Sequence, residues 1–108
     1  MPFGFLKNSR GEEEHLHIYG GVNADGTQME GVGEGFTSEK TGTGTYKITF
    51  TPSSFASKPA PVCTVDGQGT FDKSISIIEI TKEYFTCITS NATAPVDCAF
   101  TFIAFGDA

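Results

Sequence analysis

The segment TYKITFT, residues 45–51, alternates without a break, with Tyr46, Ile48 and Phe50 on one side and Lys47, Thr49 and Thr51 on the other. A period of two is the mark of a strand with one buried and one wet face. The runs around it repeat the theme. HLHIY (15–19), VCTV (62–65), SISIIEI (74–80), YFTCIT (84–89) and DCAFTFIAFG (97–106) are short and apolar, and glycine, proline or Asx clusters separate them. No window carries the 3.6-residue apolar stripe of a helix, so the chain is expected to be all-β. About seven to eight short strands at this spacing predict an antiparallel β-sandwich or jelly roll.

The punctuation has identifiable chemistry. Asp25-Gly26, between Val22 and Met29, is a strong hairpin dipeptide. Pro52, Pro59 and Pro61 cannot donate to a ladder, so TPSSFASKPAP (51–61) reads as a connection that Phe55 anchors to the core. GVGEGF (31–36) and TGTGT (41–45) read as turns, because no helix follows them whose N-terminus could receive a phosphate. In SISIIEI the alternation slips at Ile77-Ile78, which predicts a bulge or a strand buried on both faces.

A chain of 108 residues fits one domain. Residues 1–14 read as an N-terminal arm, with Phe3, Phe5 and Leu6 as its docking cluster ahead of the polar run KNSRGEEE, and residues 15–108 as the sandwich. Ten phenylalanines suit a folded core, and a net charge of −6 excludes the basic patch that nucleic acid requires. No stretch approaches a membrane span, and the N-terminus lacks the order of a secretory signal, so synthesis in a cytoplasm is expected. Cys63, Cys87 and Cys98 show no CxxC spacing and read as buried free thiols. If the last two strands pair about Ala92 and Thr93, Cys87 lies opposite Cys98, and a cross-strand disulfide is the other reading.

No enzyme is expected, since both histidines sit in one strand away from any nucleophile. Asn91-Ala92-Thr93 fits a glycosylation sequon, which matters only in a eukaryotic secretory pathway. His15 and His17 point to the same face of their strand, while Leu16 and Ile18 face the other way. They are either surface residues or, on a three-fold axis, six imidazoles from three copies around a transition metal, with no cofactor otherwise implied. DGQGTFDK (66–73) and TKEYF (81–85) supply Asp66, Gln68, Asp72, Lys82 and Tyr84, polar and aromatic groups of the kind that hold a sugar. The closing strand carries a second apolar row, Ala99, Ile103 and Phe105, behind Cys98, Phe100, Phe102 and Ala104. That row predicts burial against another copy or a second layer of the same chain.

The Val-Asn-x-Asp-Gly turn, the Gly-x-Gly-x-Tyr-x-Ile-x-Phe strand, the Phe-x-x-x-Pro connection and the closing Phe-x-Phe-Ile-Ala strand together carry a resemblance. Over residues 17–106 the chain resembles the C-terminal β-sandwich module of phage tail-fibre and bacterial surface proteins. More weakly, its latter half is similar to the H-type lectins, although Phe102 stands where those often have tryptophan. Both resemblances imply homotrimers, and the lectin one implies sugar binding in loops near subunit contacts. The expected protein is therefore a non-enzymatic receptor-binding sandwich of a virion or extracellular appendage, lectin-like in binding a cell-surface glycan. The alternative is a virion structural protein, decorating a capsid or tail and docking through its arm.

Overall fold

The computed structural model describes residues 4–7 and 13–108, with side chains from His15 onward. Nine strands form two antiparallel sheets, and no helix occurs among the described residues. The first sheet holds β1 (Gly4–Lys7), β2 (Glu13–Val22), β3 (Gln28–Gly33), β6 (Ala60–Val65) and β9 (Phe100–Asp107). β1 and β3 both pair with β2, which is followed across the sheet by β9 and then β6. The second sheet runs β4 (Phe36–Gly42), β5 (Thr45–Phe50), β8 (Tyr84–Ser90), β7 (Ser74–Ile80). The domain from His15 onward thus holds eight strands, and β1 adds one from the expected arm.

Alternation fills the space between the sheets. Leu16, Ile18, Val22, Phe100, Phe102 and Ala104 point inward from the first sheet and meet Phe36, Tyr46, Ile48, Phe50, Phe85 and Cys87 from the second. Aromatic rings join the layers edge to face: Phe102 meets Phe36 at 4.9 Å and Phe85 at 5.3 Å, and Tyr46 meets Phe100 at 5.2 Å. Such pairs add about 1 kcal/mol each beyond the area they bury. Tyr46 is fully buried, and its hydroxyl donates to the Ala24 carbonyl at 2.8 Å, which ties the Asn23–Thr27 turn to the core. That turn is the expected Asp-Gly hairpin, with Gly26 at φ 94°. Phe55 is buried against Phe50 at 4.9 Å and anchors the 51–59 connection.

Three expectations need correction. β8 and β9 do not pair: they lie in different sheets, and residues 91–99 carry the chain between them. Cys87 therefore faces Tyr46 and Ile77 in register, Cys98 is buried separately, and all three cysteines are free. GVGEGF and TGTGT are mostly strand, with the reversals confined to Glu34-Gly35 and Thr43-Gly44. β6 starts at Ala60 and includes Pro61, which is tolerated because β6 pairs with β9 alone and lies at the sheet edge. Within the expected arm, Phe5 and Leu6 pair through their backbones with Leu16 and His15, and β2 begins at Glu13. Phe3 and the side chains of Phe5 and Leu6 lie outside the described residues.

The slip at Ile77-Ile78 is a bulge. Ile77 pairs with Cys87 and Glu79 with Thr86, so Ile78 is the extra residue and turns outward.

Candidate functional site

The five residues read as a sugar-binding set do not share a place. Asp66, Gln68 and Asp72 lie in the loop between β6 and β7, whereas Lys82 lies in the turn between β7 and β8 and Tyr84 begins β8. β7 separates the two groups by seven residues, roughly 23 Å at about 3.3 Å per residue. They occupy opposite ends of the sandwich.

At the end that carries Lys82, the Thr81 hydroxyl oxygen accepts the N–H groups of Glu83 at 3.1 Å and Tyr84 at 3.0 Å, which fixes the turn. Tyr84 is already engaged. Its hydroxyl donates to Glu79 at 3.1 Å, which raises the phenol pKa, and the Lys47 ammonium sits 4.3 Å from its ring centroid. Beside the turn a cavity of about 420 Å³ opens between Thr49, Thr51, Ser53, Phe55 and Lys82. Ser53, at φ 64°, bends the chain round its rim.

At the other end, the β6–β7 loop is built by its own side chains. Asp66 Oδ1 accepts the Gln68 N–H at 2.9 Å, and the Thr70 N–H and hydroxyl both donate to the Gly67 carbonyl, at 3.0 and 2.6 Å. Gln68 at φ 55° and Gly69 at φ 81° form the left-handed centre of this turn. A glutamine there costs on the order of 1 kcal/mol relative to glycine. Lys73 donates to Thr70 Oγ1 at 3.0 Å and pairs with Asp72 at 2.7 Å, which holds the Asp72 carboxyl below its usual pKa. On this pinned loop Phe71 is fully exposed. Its place in DGQGTFDK could have been noticed in the sequence, but nothing there distinguishes a tip phenylalanine from a core anchor such as Phe55.

The outer faces of the two sheets differ. On the second sheet Thr37, Glu39, Lys47, Thr49, Ser76 and Thr86 face outward, with Ile78, Tyr84 and Ile88 scattered among them. On the first, Tyr19, Ile103 and Val62 stand in register across three strands, with Phe105 beside them. Tyr19 is 50% exposed, Val62 58% and Phe105 38%, and a shallow groove of about 320 Å³ runs between Tyr19, Val32, Val62 and Ile103. Thr64 and Thr101 border the row at one end and His15 and Asp107 at the other. The second apolar row of β9 is thus on the outside of the sandwich, not against a further layer of the described chain.

His15 and His17 share this face, as their spacing predicts, while Leu16 and Ile18 are buried behind it. His15 is exposed; His17 lies 5.8 Å from the Phe105 ring and 6.3 Å from Tyr19, with a buried Nδ1 that has no hydrogen-bond partner among the described residues. Among those residues no three His, Cys, Asp or Glu side chains gather to hold a metal. Burial pushes the Cys63 and Cys87 thiols up to about 12, which disfavours the thiolate a nucleophile would need. No protein-family model, curated protein or solved structure matches this chain.

Proposed function

We propose that the chain is a non-enzymatic, homotrimeric sandwich of a virion-type or cell-surface appendage, and that it binds a glycan on a partner surface. The observation that carries this reading is the asymmetry between the sheets. The outward face of the second sheet is rich in threonine and charge, whereas the first presents an apolar centre of Tyr19, Val62, Ile103 and Phe105 within a polar border. An apolar centre with a polar rim is the usual anatomy of a face covered by another subunit. The pairing of Gly4–Lys7 with β2 engages part of the arm in the chain's own sheet, which weighs toward binding by the domain and away from docking by the arm.

The mechanism is avidity. Three weak sites held at fixed spacing bind a repetitive surface roughly 100-fold or more tighter than one does. The test is a printed glycan array at two ligand densities, probed with the labelled full chain. Binding that is strong at high density and falls away steeply at low density is expected. An array without signal at saturating protein overturns the glycan reading.

A further inference from the structure

We propose that the tip of the β6–β7 loop is the sugar-contact site, with Phe71 as the stacking platform and Asp66, Gln68 and Asp72 as hydrogen-bonding partners for an uncharged hexopyranose. This rests on the glycan reading above and gives it a location and a ligand class.

Phe71 is a large apolar side chain with no cover, on a loop whose backbone is held by Asp66 and Thr70, with Lys73 bonded to the Thr70 hydroxyl. Its neighbours decide what could cover it. Asp66, Gln68, Gly69, Thr70 and Asp72 are all exposed, so the apolar surface here is a single ring set among polar groups. A protein interface needs about 800 Å² from each partner, far more than one phenylalanine offers. An anionic membrane is disfavoured by the two flanking carboxylates and the net charge of −6. A pyranose fits on both counts: one C–H face matches a phenyl ring in size, and its hydroxyl edge seeks acceptors and donors of the kind that the same loop exposes.

Asp66 and Asp72 each use Oδ1 within the loop, which leaves Oδ2 of each, with the Gln68 carboxamide, for sugar hydroxyls. The same carboxylates repel sialylated and sulfated glycans, and the ammonium of neighbouring Lys73 is already paired with Asp72. The left-handed Gln68 is consistent with this role, since glycine or asparagine would turn the chain there at lower cost.

The experiment compares the full chain with Phe71→Ala, Phe71→Trp and Lys82→Ala on one array of neutral, sialylated and sulfated glycans, each variant checked by circular dichroism for the wild-type spectrum. Expected is binding confined to neutral glycans, lost at least tenfold in Phe71→Ala and retained in Phe71→Trp and Lys82→Ala. Wild-type affinity in Phe71→Ala overturns this site while the glycan reading stands. Loss in Lys82→Ala alone moves the site to the opposite end. Absence of wild-type binding to any glycan overturns both. Phe71-dependent capture by phosphatidylcholine vesicles without glycan binding identifies a lipid contact and overturns the assignment.

Discussion

Gly44 shows how much of the fold rests on single backbone positions. It sits at φ 68° in the turn between β4 and β5, where a Cβ would come 2.5 Å from the Thr89 carbonyl oxygen and 3.0 Å from that of Val96. Its N–H donates to Asp97 Oδ1 at 2.7 Å, and its carbonyl accepts the Thr89 N–H at the same distance. Gly44→Ala is expected to lower stability by about 2 kcal/mol, read from urea unfolding. The thiols give a pH prediction. Cys63 and Cys87 are raised from an ordinary value near 9 to about 12 because burial penalises the thiolate. A raised folded-state pKa means stability that is complete below pH 9 and lost as pH climbs toward 12, while the unfolded thiols ionise and the folded ones do not. Urea midpoints should therefore fall across that window in the wild type and fall less in a Cys63→Ala, Cys87→Ala double variant. An equal fall in both would contradict the assignment. At this scale the core was legible: Tyr46, Ile48, Phe50 and Phe55 are buried as their pattern predicts. The partners of Gly44 were not, because a contact across 45 residues leaves no local trace.

Among the elements, β7 read well and β3, β4 and β9 read less well. The Ile77-Ile78 slip predicted a bulge or a strand buried on both faces, because two adjacent β-branched residues cannot both face one core from a regular strand, and the bulge is the form taken. The consequence is an unequal pair: Ile77→Ser should cost about 2 kcal/mol through lost packing, whereas Ile78→Ser should stay within about 0.5 kcal/mol. Thermal unfolding of the two variants checks it, and equal losses would place the bulge elsewhere. The strands at GVGEGF and TGTGT were hidden because glycine suppresses alternation, and Gly31 and Gly33 adopt positive φ within or at the end of β3. The β8–β9 hairpin was misread for a different reason. Two apolar strands joined by a loop look alike whether they pair in one sheet or cross to opposite sheets, and the answer lies in partners elsewhere. β8 is taken by β5 and β7, and β9 by β2 and β6, so each is already paired on both edges.

For the whole molecule, the informative comparison is internal. Both sheets obey the same alternation and bury the same kind of inward face, yet only the first carries an outward row of Tyr19, Val62, Ile103 and Phe105. The sequence reading found half of this, since the two-faced character of CAFTFIAF is local. Tyr19 and Val62 joined the row only once the β2–β9–β6 order brought them into register with Ile103. The expected sugar set divided between two ends because β7 runs its full length between Asp66, in the loop before it, and Tyr84, past the turn after it. The most direct measurement is sedimentation equilibrium of the full chain beside a Tyr19→Glu, Val62→Glu variant whose circular dichroism matches the wild type. The account predicts three chain masses for the wild type and one for the variant. A wild-type mass of one chain at the highest soluble concentration, or a variant that stays trimeric, would contradict it.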